Sequence, residues 1–451
     1  MNRLILAVSL PLLLAGALSA AAGATIQKKD GRTEKAFDVQ AETISGIIWE
    51  SARGTPGTRI RLWELNDVSY DGSSMDQFNG LSRKLGGGRA AKLRDDAQSF
   101  KKGKAPTGFD DKQWARLSLS LDYFIAMADY LDGNWQGAVS GLESYIKDSE
   151  KAESLYDQGG VVRASFKSEV SGKQVTNAGG LNRFYLDALE ALGLAYLKQG
   201  DAKQANSKAF GPLQSLTEEL AKNSGDNQYF DWGIRALRAS ADSAQQQQDF
   251  KGARESYEAL ARVALKKNAG RPSRISYEAQ LKVGFMQIKE GDTRGASARF
   301  YEAVRSWESD HKVDRPWQPR NDWIDRDVAY LAAGSYLGQG LVKATDAKRV
   351  EDWAEALTSF STSLSIFNAD DEIRSMALLG AANASAQLAE MNKDKLRADK
   401  SGKQVPMTSD NYARLAEKYL SELTTVLPKS KAAEDKSIPD IQALINKHRH
   451  D

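Results

Sequence analysis

Residues 291–296 read Gly-Asp-Thr-Arg-Gly-Ala, and this six-residue pattern recurs four more times in a chain of 451 residues. Each copy stands between two helix-like segments, so we name it the junction motif. It has a small or polar residue, then Asp or an equivalent Asn, often an aromatic residue, two variable positions and Ala. The five copies begin at Gly133, Gly200, Gln248, Gly291 and Glu351.

Each position of the junction motif has a physical role. A leading Gly can adopt the left-handed backbone that ends a helix. The Asp or Asn that follows can accept hydrogen bonds from the free N–H groups that begin the next helix. The small final side chain lets two antiparallel helices approach closely. The alanines at this position are Ala138, Ala205, Ala253, Ala296 and Ala356.

The segments beside the junction motifs repeat apolar residues with the spacing of a helix. Together with the motifs, this pattern resembles the tetratricopeptide repeat family. The matching residues are Gly193, Tyr196, Gly200 and Ala205 in one unit, and Gly284, Gly291, Ala296, Phe300 and Ala303 in another.

The resemblance implies a mainly α fold over residues 114–427, a tetratricopeptide-like solenoid of antiparallel helix pairs. Its first helices would line a concave face that accepts an extended segment of a protein partner. The motif alanines recur at intervals of 43 to 67 residues, whereas the family repeat is about 34, so long loops are expected. Residues carried over to the concave face, each of which can instead be an ordinary solvated position, are Asp187, Glu190, Arg235, Arg238, Asp242, Gln245 and Glu278.

Residues 1–24 have the pattern of a secretory signal peptide. Residues 4–14 are almost all apolar, and Ala22 and Ala24 have the spacing of a cleavage site. An uncleaved anchor is the alternative, because the apolar run is about long enough to span a bilayer. We expect cleavage before Thr25, no integral membrane segment afterwards, and a periplasmic or secreted protein. Without a cysteine the chain cannot be a lipoprotein.

Residues 25–75 predict a small β domain. The run 43–49 is rich in β-branched and aromatic residues, 53–57 is a Gly/Pro turn, and 59–63 alternates with period two. This segment resembles the small SH3-like or Sm-like barrels at the start of some exported bacterial repeat proteins. It would either bind a peptide or glycan, or cap the helical repeats.

Residues 76–113 are a predicted basic connector. Over 76–104, eight Lys or Arg face three Asp, a charge of about +5, and the glycines at 86–88 interrupt any single helix. The connector is either a solvated linker or a surface for an anionic cell-envelope polymer.

The loop at residues 310–323 combines aromatic rings and cations in an unusual density. Trp317, Arg320 and Trp323 are its candidate binding residues, because aromatic faces beside cations can stack on sugars or anchor a partner. The alternative is an ordered loop packed by its own tryptophans.

Composition narrows the function classes. Lys+Arg 62 against Asp+Glu 60 gives a net charge of +2, which does not favour nucleic acid as the main partner. With zero cysteines, three histidines and no recognised catalytic motif, we expect no cofactor, no metal and no enzymatic activity. A glycoside hydrolase built on carboxylates alone is the remaining catalytic alternative. Residues 428–451 are expected to be a flexible tail.

The sequence therefore predicts a non-catalytic exported scaffold or adaptor. It would bind a protein partner through the helical repeats, in cell-envelope assembly or secretion. The alternative is a protein that binds envelope polysaccharide or peptidoglycan through the basic connector and the Trp317 loop.

Overall fold

The computed structural model describes residues 23–152, 161–310, 326–366, 370–391, 395–398, 404–407 and 409–449. The chain divides into two compact units, Met1–Ala236 and Leu237–Asp451. This division falls within the helical repeats.

Two antiparallel sheets of three strands each open the first unit. One has the order β2-β1-β6 and the other β3-β4-β5, and within residues 24–70 no ladder closes them into a barrel. Alternate residues such as Ile26, Val39 and Val68 are buried, which is why this region alternates with period two. The strands are β1 (Ala24–Lys28), β2 (Thr33–Ala36), β3 (Asp38–Thr43), β4 (Gly46–Ala52), β5 (Thr55–Pro56) and β6 (Leu65–Tyr70).

The turn between β3 and β4 is buried against the helical part of the same unit. Ile44 N–H donates to the carbonyl of Leu181 at 2.9 Å, and the Tyr229 hydroxyl donates to the Ile44 carbonyl at 3.1 Å. Glu42 and Arg183 form an ion pair of 2.8 Å whose side chains are only 10% and 6% exposed. The sheets and the first helices therefore share one core.

The predicted basic connector contains three packed helices. They are α1 (Asp76–Asn79), α2 (Leu81–Gly86) and α3 (Ala90–Lys102), and α3 buries Leu93 and Ala97. Its cations are paired with acids: Arg94 lies 2.9 Å from Asp129. Lys84 pairs with Asp96, and Lys101 with Asp122. The connector is therefore part of the folded unit, and these three cations are held in ion pairs.

Antiparallel helix pairs fill the rest of the first unit. In the first pair α4 packs on α5, and in the second α6 packs on a helix interrupted by a π-helical segment, Ala205–Phe210. A short hairpin, β7 (Phe166–Lys167) with β8 (Gln174–Val175), precedes α6. The helices are α4 (Asp111–Leu131), α5 (Trp135–Lys151), α6 (Tyr185–Lys198), α7 (Ala202–Gln204) and α8 (Gly211–Ser224).

The second unit continues the pairing. Helix α9 (Phe230–Gln246) begins in the first unit and ends in the second. In the second unit α11 packs on α12, α13 on α14, and α15 on α16. The elements are α10 (Phe250–Lys267), α11 (Arg274–Glu290), α12 (Thr293–Asp310), α13 (Arg326–Asp346), α14 (Val350–Ile366), α15 (Asp371–Met391), β9 (Lys395–Ala398), β10 (Gln404–Met407), α16 (Ser409–Val426) and α17 (Ile438–His448). The predicted mainly α, tetratricopeptide-like fold with a small preceding β region is confirmed.

The junction motifs lie where one helix ends and the next begins. Gly133, Gly200 and Gly291 have φ of +75°, +80° and +83°. The residue after each caps the next helix, as Asp292 does by accepting from Gly295 N–H at 2.9 Å. The fifth motif differs, because α14 already begins at Val350. The five motif alanines are each 0% exposed: Ala138, Ala205, Ala253, Ala296 and Ala356.

Glycine and aromatic residues set the distance between paired helices. A Cβ atom on Gly193 would overlap the ring of Phe210, and one on Gly284 would overlap the ring of Phe300. Both rings are almost fully buried. The glycines therefore let an aromatic side chain of the second helix lie directly on the backbone of the first.

The C-terminal residues form structure where the sequence predicts a flexible tail. Helix α17 buries Ile441 and Ile445 against α15 and α16. Lys447 also pairs with Glu390 of α15 at 2.6 Å. The apolar residues of α17 have the spacing of a helix, but the neighbouring lysines make the segment resemble a flexible tail in the sequence.

Candidate functional site

Most of the polar side chains of interest lie on the first helix of each pair, namely α4, α6, α9, α11, α13 and α15; Tyr257, on the second helix α10, is an exception. In the first unit, α6 and the start of α9 bring Asp187, Glu190, Trp232 and Arg235 together, and we call this group the Trp232 cluster. The Arg235 guanidinium contacts both carboxylate oxygens of Glu190, with distances of 2.7 to 3.0 Å. Trp232 Nε1–H donates to Asp187 Oδ1 at 2.8 Å.

The Trp232 cluster is open to solvent while its polar atoms are largely fixed. Arg235 is 47% exposed and Asp187 is 44% exposed, whereas Glu190 is 20% exposed. Arg235 also lies over the Trp232 ring, 5.3 Å from its centroid. A bidentate ion pair combined with a cation–π contact holds both side chains in one conformation, so the cluster is preformed.

The carboxyl group of Asp187 has the most perturbed environment in this cluster. Its pKa is raised, chiefly because neighbouring groups shield the carboxyl from water, and Glu190 raises it further while the Trp232 hydrogen bond lowers it. The nearest cation, Arg235, is 4.0 Å away. Beneath it, burial raises the pKa of Tyr123 well above its usual value, and Asp187 and Glu190 add to that effect.

A second group lies within the other unit and is described by itself. It comprises Arg238, Asp242, Tyr257 and Glu278, and we call it the Asp242 cluster. Arg238 pairs with Glu278 of α11 at 3.0 Å, and the Tyr257 hydroxyl donates to Asp242 at 2.8 Å. Burial, followed by this hydrogen bond, raises the pKa of Tyr257. The Tyr257 hydroxyl also lies 3.3 Å from Gln245.

Two further ion pairs join α11 to the start of α15 in the second unit. Arg274 pairs with Asp370 at 2.8 Å and stacks on Tyr330 of α13, 3.2 Å from the ring centroid. Lys282 pairs with Glu372 at 2.6 Å. Helix α13 is rich in Ala and Gly, and its small side chains leave room for these longer ones to reach across it.

One arrangement recurs at several places in the molecule: a cationic side chain stacks on an aromatic ring and also pairs with a carboxylate. Arg183 lies over Phe184 and pairs with Glu42, while Lys208 lies over Tyr196 and pairs with Glu143. Arg235 and Arg274 have the same arrangement. Each such group joins helices or strands that are distant in sequence, so these clusters stabilise the fold as well as forming its surface.

The structure brings the predicted concave-face residues into two groups. Asp187, Glu190 and Arg235 lie together in the first unit, and Arg238, Asp242, Gln245 and Glu278 in the second. Sequence reasoning missed the aromatic members of these surfaces and two of their cations, because carry-over by offset selected six charged residues and one amide. Aromatic residues one helix turn from the charges would have indicated them. The missed residues are Trp232, Tyr257, Arg274, Lys282 and Tyr330.

The other predicted binding residues, Trp317, Arg320 and Trp323, lie outside the described residues. In the described parts of the chain, no group of His, Asp or Glu has the arrangement of a metal site. None of the described helices combines the length and apolar character needed to cross a membrane. A cavity of about 20 Å³ between β3 and α4, lined in part by Glu42, Ser120 and Asn182, has room for about one water molecule.

No family model matches the chain, and no curated protein matches it. Solved structures that are similar include the apo form of RapI, which is 10% identical over 83% of this chain and 95% of its own, with a TM-score of 0.36. A tetratricopeptide repeat protein from Parabacteroides merdae is 14% identical over 68% of this chain and 98% of its own, with a TM-score of 0.22. The TPR domain of P58(IPK) is 14% identical over 70% of this chain and 80% of its own, with a TM-score of 0.23.

With scores this low, the fold class rests on the helix pairs and junction motifs of this chain itself. The fold is a tetratricopeptide-like set of helix pairs with an N-terminal β region.

Proposed function

We propose that the protein is a non-catalytic scaffold or adaptor that binds a protein partner through its first helices. The observation that supports this most directly is the Trp232 cluster. It is a preformed group of an aromatic ring, a guanidinium and two carboxylates on a half-exposed surface. Protein interfaces are enriched in Trp and Arg that are held in place before binding.

The chain's packing supports the same proposal. The second helices supply the junction-motif alanines and the aromatic rings that fill the core, such as Phe210 and Phe300. The first helices carry the larger polar clusters. Because these side chains do not fill the core, they are available to contact a partner. We further propose, from the leader-like pattern of residues 1–24, that the scaffold is exported and works in cell-envelope assembly or secretion.

Site-specific photo-cross-linking tests the proposal. The photoreactive residue p-benzoylphenylalanine would replace Trp232 in the full chain, expressed in its native cells. Tyr301 is the matched control, because it is also aromatic, lies on the second helix α12 and is 62% exposed. We expect one specific protein to be cross-linked from position 232 and not from position 301. No product at 232, or the same products at both positions, would contradict the proposal.

Fractionation tests the location separately. The full chain should be recovered outside the cytoplasm, and a chain that starts at Gly23 without the leader should stay inside. Equal distribution of the two chains would refute export while leaving the cross-linking result to stand.

A further inference from the structure

Two carboxylates on the first helices, one in each unit, are held by neutral aromatic donors. Asp187 accepts from the indole N–H of Trp232, and Asp242 accepts from the hydroxyl of Tyr257, each at 2.8 Å. Neither donor carries a positive charge. The aromatic donor therefore satisfies one acceptor position of each carboxylate without placing a positive charge beside it.

The arginine of each cluster is bound to a different carboxylate. Arg235 makes three contacts with Glu190 and lies 4.0 Å from Asp187. Arg238 pairs with Glu278, and among the described residues Asp242 has no ion pair within 4.0 Å. Each cluster thus has two carboxylates and one guanidinium, so its charged members sum to one negative charge. At Asp187 this charge is only partly offset by the more distant guanidinium groups of Arg235 and Arg183.

Both clusters differ from a plain acidic patch, although their geometry is not identical: Trp232 lies on the first helix α9, whereas Tyr257 lies on the second helix α10. In each cluster an Arg–Glu pair bridges successive first helices and an aromatic donor orients the remaining carboxylate. In the Trp232 cluster the indole also offers a ring that binds cations. Neighbouring side chains crowd the Asp187 carboxyl, yet 44% of its side-chain surface is exposed, so an incoming group can reach it from the solvent side.

We propose that the protein segment recognised by the first helices is basic, with a Lys or Arg side chain bound by Asp187 beside Trp232. This inference rests on the proposed function and specifies the chemistry of the partner. The Asp242 cluster offers a second carboxylate within its own unit, but Tyr257 is only 4% exposed, so no comparable ring is open to a cation there. A positively charged side chain of the partner would compensate the negative charge of the Trp232 cluster. This ion pair would add to the affinity and fix the orientation of the bound segment.

Defined peptides test the charge preference on the full chain. Fluorescein-labelled peptides of alternating Gly and Lys, Gly and Glu, or Gly and Ser would be titrated at low salt, with anisotropy as the readout. We expect the Lys peptide to bind, and Asp187→Asn to weaken its binding about tenfold, the effect of losing one charge-assisted hydrogen bond. Asn keeps the acceptor for Trp232, so the variant should remain folded, which circular dichroism checks.

The matched control is Asp148→Asn on α5. It makes the same chemical change at a carboxylate that is also 44% exposed but lies on a second helix, and it should leave binding unchanged. The inference fails if the Glu or Ser peptide binds as tightly as the Lys peptide, or if the two variants lose affinity equally. If the peptide test fails but position 232 still gives a specific cross-link, the proposal of a basic partner segment is wrong and the proposed scaffold function stands. Loss of both results would overturn the proposed function as well.

Discussion

At the scale of single residues, the backbone of Gln248 is the exception among the junction motifs. Its φ is +61°, although the equivalent residues of three other motifs are glycines at +75° to +83°. A side chain in this left-handed region is strained, and glycine is the residue that relieves the strain. The motif therefore tolerates a non-glycine residue here at a cost in stability.

We expect Gln248→Gly to increase the free energy of unfolding by about 0.5–1 kcal/mol. Chemical denaturation measures this. Gln246→Gly is the control, since Gln246 is the last residue of α9 and glycine in a helix is unfavourable. An equal effect of the two changes would show that left-handed strain at Gln248 is not significant.

Gly284 tests the close contact between paired helices. Its added methyl group in Gly284→Ala would overlap the Phe300 ring, so we expect a loss of about 1–3 kcal/mol of stability. Gly86→Ala is the control because nothing lies within 4 Å of its added Cβ. The variant Gly284→Ala with Phe300→Leu should recover part of the loss, and no recovery would mean that the ring is not the cause.

At the scale of elements, strand β3 is bound to the segment just before α6 by the buried pair of Glu42 and Arg183. Arg183→Met would leave Glu42 buried without its cation, and we expect a loss of about 3–5 kcal/mol. Arg61→Met is the matched control, since Arg61 pairs with Asp226 but is 44% exposed, and should cost no more than about 1 kcal/mol. Equal losses on urea denaturation would show that the sheets are not stabilised by this pair.

The start of α14 gives a pH-dependent prediction. The side chain of Arg349 and the backbone N–H of Lys348 lower the pKa of Asp352 from 3.8 to about 2. A lowered carboxyl pKa stabilises the folded state above pH 3.8, and this contribution is lost as the pH falls towards about 2.

Thermal melting of Asp352→Asn and the unchanged chain should therefore differ at about pH 6 and converge towards about pH 2. Asp346→Asn makes the same change at the end of α13 and controls for the loss of charge. A constant difference across the pH range would refute the role of the Asp352 carboxylate.

The first strand also bears on processing of the leader. Ala24 is fully buried and pairs with Ala36 and Tyr70, and the Gly23 carbonyl accepts from Asp71 N–H at 2.8 Å. Cleavage before Thr25 would remove Ala24 from β1 together with the preceding Gly23, whereas cleavage two residues earlier retains both. We expect N-terminal sequencing of the exported chain to begin at Gly23. A start at Thr25 would show that β1 forms without them.

At the scale of the whole molecule, local patterns in the sequence indicate the helix pairs but not the contacts between distant residues. The junction motifs predict the fold class because capping and helical spacing are encoded within a few residues. The Arg274–Asp370 pair joins residues 96 positions apart, and no local spacing encodes such a contact. The sequence did not predict the packing of α3 and α17, because the lysines beside their few apolar residues indicated a basic connector and a flexible tail.

The sequence predicts only part of the candidate site. Resemblance to the repeat family selected Glu190, Arg235 and Asp242 as surface residues on first helices. It did not indicate that Trp232 and Tyr257 orient the carboxylates, because those partners come from neighbouring helices. Repeat spacing thus predicts which helix carries a residue, while the hydrogen bonds that fix it depend on tertiary packing.

Hydrogen exchange with and without the cross-linked partner tests the central claim most directly. The account predicts that the partner slows amide exchange in α6 and α9, whose side chains form the Trp232 cluster, and leaves the second helices α5 and α12 unchanged. Protection confined to the second helices, or to the β strands, would contradict recognition through the first helices.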